Sequence, residues 1–144
     1  MRPASGGYPA NSYLAQRINS ASPEELTAML LAGAERFLTQ ATAAIRRRDR
    51  LEKARLLHRG SEIMQSLLGM LNPEGDPALV NRLHGIYIWW IKEMFEGSRS
   101  EKPEQIERVV RQMGVLRSAW EELDARQGRP QAAAAPFTVE GLVG

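Results

Sequence analysis

Apolar residues return every three or four positions through four successive stretches of this chain, and each stretch opens on its own helix-start signal. Ser22-Pro23-Glu24-Glu25 is the clearest of these signals. Ser22 is a good N-cap, Pro23 suits the first helical position, and Glu25 completes a capping box. Leu26, Met29, Leu30, Ala34, Phe37, Leu38, Ala41 and Ile45 follow as a stripe, so the pattern predicts a helix from about 23 to about 47. A second helix begins near Asp49 or Arg50 and carries Leu56, Leu57, Ile63, Met64, Leu67, Leu68 and Leu71. Asn72-Pro73-Glu74-Gly75-Asp76-Pro77 is a turn, with Asp76 placed to cap the next helix. That helix holds Leu79, Val80, Leu83 and then Ile86 to Phe95, where it is apolar around most of its circumference, before Gly97-Ser98-Arg99-Ser100 closes it. The fourth starts at about Pro103 with Ile106, Val109, Val110, Met113, Leu116, Trp120 and Leu123 as its stripe. Nothing reads as a strand. Helices of this length joined by short connections become antiparallel neighbours. The expectation is an all-α fold: an antiparallel up-down four-helix bundle with a short N-terminal cap segment and a flexible C-terminal tail.

The ends differ in composition. Residues 1–12 are rich in Gly, Pro, Ser and Ala and read as a flexible leader. Tyr13-Leu14 and Arg17-Ile18 provide an i, i+4 apolar pair, enough for a short amphipathic cap. The bundle domain is expected over 13–126 and a flexible tail over 127–144. A chain of 144 residues with 43% hydrophobic side chains suits one domain with one core. Cysteine is absent, which excludes disulfides, a thiol nucleophile and thiolate-held metals, and is compatible with a reducing cytoplasm. No signal-peptide pattern is present, and Ile86–Ile91, the longest apolar run, is far too short to span a bilayer.

Catalytic and metal-binding patterns are missing. Folding the second and third helices about Gly75 leaves His58 and His84 about 10 Å out of register along the helices, too far to share one ion. His58 and Glu62 at i, i+4 read as a surface ion pair. A di-iron bundle needs Glu-x-x-His twice, but positions 55 and 81 hold Arg and Asn. Glu24/Glu25 and Glu121/Glu122 are adjacent on their helices and diverge, so neither makes an acid–base dyad. No Gly-rich phosphate loop or nucleophile elbow occurs. No enzyme activity, cofactor or metal is therefore expected. Arg46, Arg47, Arg48, Arg50, Lys53, Arg55 and Arg59 cluster at one corner. A nucleic-acid-binding module built on Arg46–Arg59 is one alternative function. The formal net charge of only +2 and the lack of interleaved aromatics argue against it.

The apolar excess is more informative. Trp89 and Trp90 cannot both face one core line, Leu31 lies beside the Leu30 stripe, and Leu56 and Ile63 widen the face of their helix. Such excess marks a partner site, a dimer face, or a seat for the chain's own termini. A homo-oligomeric structural bundle using the Trp89/Trp90 surface is the second alternative.

Several segments resemble one family. Asn11-Ser12-Tyr13-Leu14, Ser22-Pro23-Glu24-Glu25-Leu26 and Met29-Leu30-Leu31-Ala32-Gly33-Ala34 are similar to the start of the flagellar secretion chaperone FliS. The similarity continues through Leu71-Asn72-Pro73-Glu74-Gly75, Ile86-Tyr87 and Leu116-Arg117-Ser118-Ala119-Trp120-Glu121, in the right order and spacing over about 11–123. The chain departs from the family pattern at Leu31-Ala32, where Tyr-Asp is usual, at Arg82, where Asn is common, and at Ile88, where a polar residue is usual.

The resemblance implies a cytoplasmic, non-catalytic export chaperone. It would bind the C-terminal segment of flagellin, prevent premature polymerisation and keep it competent for flagellar type III secretion. Flagellar export gate components or a co-chaperone are further partners of this kind. Neither nucleic acid nor a membrane span is implied, and the chain is expected as a monomer or weak homodimer. By the same analogy Tyr13 sits in an apolar pocket and guards the groove. The expected flagellin groove and N-terminal gate are Tyr13, Leu14, Ile18, Leu30, Leu31, Ala34, Leu38, Leu56 and Ile63.

Overall fold

A computed structural model describes residues 9–127. The leader through residue 8 and the tail beyond Gln127 lie outside the described residues. The fold is all-helical, with α1 (Pro9–Ser20), α2 (Pro23–Arg46), α3 (Arg50–Gly69), α4 (Pro77–Arg99) and α5 (Pro103–Gln127), and no strand among the described residues. The start signals act as the sequence predicts. Asp49 accepts a hydrogen bond from the Glu52 amide and Asp76 from the Ala78 amide, while Pro23, Pro77 and Pro103 each open their helices. α1 begins at Pro9, earlier than the Tyr13 start that the apolar pair suggests.

Ser22 accepts from the Glu25 amide at 2.9 Å and also donates to Asp124 near the end of α5. The reciprocal half of the capping box is not made. The Glu25 carboxylate instead meets Arg17 of α1 at 3.2 Å, because a cation outside the helix competes with the backbone amide for it.

α2 packs against α3 and α5, and α4 packs against the same two. Cross-helix contacts give the direction of each pair. Ser22–Asp124, Glu35–Arg117 and Arg46–Glu107 run α2 antiparallel to α5. Trp90–Gln112 and Glu93–Gln105 do the same for α4 and α5. Between α2 and α3, a side chain on Gly60 would press on Leu38 Cδ2 at 3.1 Å, so this glycine lets the two backbones close up. Gly97 has the same role at the α4–α5 corner, where a Cβ would stand 2.9 Å from Ile106 Cγ1.

The core line of α2 is Leu31, Ala34, Leu38, Ala41 and Ile45. Leu30 and Phe37 are half-buried beside it. Leu31 is thus a central core residue and not surplus to the stripe. Trp90 is fully buried and donates its indole N–H to Gln112 Oε1 at 2.8 Å. Trp89 is half-buried at the side of the core. The two tryptophans diverge, as the sequence requires, but Trp90 is sealed in the interior and is not available to an oligomer interface.

α2 and α4 both end on a left-handed residue, Arg48 at φ 59° and Glu101 at φ 53°. Asp49 N–H returns to the Ala44 carbonyl with Arg48 N–H to Ile45, and Lys102 N–H to that of Gly97 with Glu101 N–H to Ser98, the paired bonds of a Schellman cap at each end. Neither capping residue is glycine, so each carries left-handed strain. Glu101→Gly is expected to stabilise the fold by about 0.5–1 kcal/mol in urea unfolding, whereas Glu101→Ala gives no gain.

Candidate partner-binding surface

The expected groove residues fall into three environments. Leu31, Ala34, Leu38 and Leu56 are buried in the core. Leu30 and Ile63 are half-buried and pack against it. Leu14 and Ile18, one turn apart on α1, are 48% and 43% exposed, and Tyr13 lies on the same helix. The seam between α2 and α3 is closed. Ile63 Cδ1 lies over Gly33, and the Arg59 guanidinium stacks 5.9 Å from the Phe37 ring centroid. The residues brought together there make a packed interface between two helices of one chain.

Leu51 on α3 and Val115 on α5 are exposed singly, whereas α4 carries a stripe of uncovered apolar surface. Ile88, Ile91 and Phe95 follow the i, i+3, i+7 spacing of one helical face. Ile88 is 46% and Phe95 45% exposed, with the half-buried Ile91 between them. The backbone carbonyl of Ser98, one turn beyond Phe95, accepts a hydrogen bond from Lys53 Nζ of α3 at 3.1 Å. Glu93, on the opposite flank, accepts from Gln105 of α5 at 3.2 Å. The stripe therefore borders α3. Across it stand Ala54 and Ser61, small residues on the flank of α3 turned away from Ile63 and α2. The stripe is thus an apolar helix face flanked by small side chains. Sequence reading leaves these three residues out of the candidate set, although the all-round apolar character of this helix carries the signal.

A second feature lies at the end of the molecule where α2 begins and α5 ends. A cleft of about 300 Å³ opens between α2, α3, α4 and α5, lined mainly by Leu67, Leu71, Leu79, Val80, Leu83, Tyr87 and Trp120. Its rim is the Asn72–Asp76 turn, held by bonds from the Gly75 amide to the Asn72 carbonyl and from the Glu74 amide to Asn72 Oδ1. Tyr87 is almost wholly enclosed, its ring 5.9 Å from that of Trp90, and burial raises its phenol pKa well above the ordinary value. It therefore stays neutral and acts as part of an apolar wall.

The basic corner is paired in part. Arg46 makes a two-pronged pair with Glu107 at 2.7 and 3.2 Å, and Arg55 does the same with Glu52. Each of these arginines has its pKa raised by its carboxylate partner. Arg47 meets Asp49 and Arg59 meets Glu62. Lys53 instead donates to the Ser98 carbonyl, and among the described residues no carboxylate pair is formed by Arg48 or Arg50, so the corner keeps a small excess of cations at the surface. His58 pairs with Glu62 at 3.6 Å on the open surface. Among the described residues no His, Asp and Glu side chains gather in a group of three or more that could hold a metal ion. No helix among them is long and apolar enough to cross a membrane.

The profile of the family described as "Flagellar protein FliS" matches residues 6–127. A flagellar secretion chaperone FliS from Vibrio cholerae serotype O1 is 24% identical over 107 residues, covering 74% of this chain and 79% of its own. A flagellar secretion chaperone FliS from Campylobacter jejuni serotype O:6 is 26% identical over 113 residues, covering 78% and 88%.

Proposed function

The chain belongs to the FliS family of flagellar secretion chaperones, and from that premise we propose that it binds the C-terminal segment of flagellin in the cytoplasm, prevents its premature polymerisation and holds it ready for flagellar type III export. The reading takes α2–α5 as one antiparallel four-helix bundle with α1 as its cap, which the antiparallel registers support. It assigns no catalytic role to any residue. The active species is a monomer or weak homodimer, and export gate components or a co-chaperone take over the loaded complex.

The observation that carries the reading is the uncovered stripe Ile88, Ile91 and Phe95. A disordered segment that becomes an amphipathic helix on binding needs such a face, against which it sets apolar residues at i, i+3 and i+7. Ordering the segment offsets part of the contact energy, so the complex stays reversible and the cargo can be released for export. Leu14 and Ile18 of α1 form a second uncovered pair on a helix tied to α2 through Arg17–Glu25. With Tyr13 they act as a gate that flagellin displaces. Leu30 and Ile63, which pack on the core where α2 meets α3, and Leu31, Ala34, Leu38 and Leu56 within the core hold the bundle that presents this stripe.

Seeded polymerisation of flagellin from the same organism, followed by light scattering, tests the proposal. An equimolar amount of this protein is expected to suppress growth. Unchanged growth at several-fold excess would refute it. Tyr13→Ala is expected to shift the amount needed for half-suppression while moving the melting temperature by no more than a few degrees. Half-suppression at the same amount would remove the gate.

A further inference from the structure

We infer that the cleft at the α2-start, α5-end pole of the molecule is the seat of the chain's own C-terminal segment, with Phe137 and an aliphatic neighbour from Val139, Leu142 or Val143 set against Leu71, Leu79, Val80, Leu83, Tyr87 and Trp120. This goes beyond cargo binding, because the FliS match ends at residue 127 and the segment follows it.

Where the described chain ends is the first support. Asp124, one turn before the end of α5, accepts from Ser22, and the neighbouring Pro23 and Glu24 lie on the cleft. The chain therefore leaves α5 beside the opening. Trp120, a wall residue, lies about 10 Å back along the helix axis from Gln127. Residues 128–136 can span about 30 Å when extended, so Phe137 reaches the cleft with slack.

Composition is the second support. Residues 128–136 are Gly, Arg, Pro, Gln and Ala, a spacer without a large aliphatic or aromatic side chain. The large apolar residues all come after it, at Phe137, Val139, Leu142 and Val143. Size agrees as well. An engineered apolar cavity of about 150 Å³ admits benzene, so the cleft of about 300 Å³ takes a phenyl ring and one aliphatic side chain. Attachment through a short spacer supplies a local concentration in the millimolar range, which populates a contact whose dissociation constant is itself about millimolar.

The chain has no cysteine, so a pair of introduced thiols reports the contact cleanly. Thr138→Cys leaves the apolar anchors in place and is combined in the full-length protein with Val80→Cys on the cleft. The control combines it with Ser118→Cys, which is exposed on α5 near the height of Trp120. An undocked tail meets both positions readily, whereas a docked one meets only Val80. Under mild oxidation at low protein concentration, the Val80→Cys pair is expected to close an intramolecular disulfide several-fold faster than the Ser118→Cys pair. Equal rates, or faster closure at Ser118→Cys, would overturn the assignment. So would a disulfide between two molecules, which gives the cleft to a second copy. Leu79→Cys, half-buried on the same wall, replaces Val80→Cys if that variant does not fold.

Discussion

Replacing Ile88 and Phe95 together by glutamine is expected to weaken capture of the flagellin C-terminal segment on the order of a hundredfold, with the melting temperature within a few degrees of the parent. Each side chain is close to half exposed before binding, so its remaining surface is what a partner helix covers. Completing that burial and then losing it at two positions removes about 3 kcal/mol, or roughly two powers of ten in affinity. Glutamine is a good helix former and carries no charge. A loss of binding therefore reports the apolar contact and neither helix fraying nor repulsion. Isothermal titration beside circular dichroism measures both quantities on one sample. Parent-like affinity in a folded double variant would place the cargo elsewhere.

The largest effect on stability is expected at Trp90. Its indole is fully enclosed, stands against Tyr87 and donates to Gln112. Trp90→Ala leaves a cavity the size of a bicyclic ring and an amide without its donor. The expected cost is about 3–5 kcal/mol, a large share of the roughly 5–15 kcal/mol that holds a domain of this size folded. Trp89→Ala, at a half-buried position, is expected to cost much less. Urea denaturation followed by circular dichroism separates the two. Equal losses would mean that Trp89 and Trp90 share the core, against the divergence required of adjacent helical residues.

Local chemistry made much of this fold readable. Ser22-Pro23, Asp49, Asp76-Pro77 and Pro103 open helices because a capping oxygen or a proline acts within a few residues of itself. Facts that depend on a second element were not readable. Glu25 turns to Arg17 instead of its own cap because α1 brings a cation there. Leu31 and Leu56 look like surplus beside their stripes, but α2 packs against both α3 and α5, and the line between those neighbours is the one that is sealed. Gly33 and Gly60 have no periodic signature, yet they let Ile63 and Leu38 close the α2–α3 seam where a groove was expected. Uncovered apolar surface appears instead on α4, where Ile88 lies on the exposed stripe. The all-round apolar helix was visible in the sequence, whereas the flank left bare depends on where α3 and α5 pack.

The central claim is that this surface takes a disordered flagellin segment as an apolar helix. Its most direct test is calorimetric titration with a peptide from the C-terminus of the same organism's flagellin, at two temperatures and at low and high salt. The account predicts saturable one-to-one binding, a negative heat-capacity change and little dependence on salt, since the contact is apolar burial coupled to folding. Absence of binding at either salt would contradict it. So would binding that falls steeply as salt rises, which would move recognition to the charged corner around Arg46–Arg59.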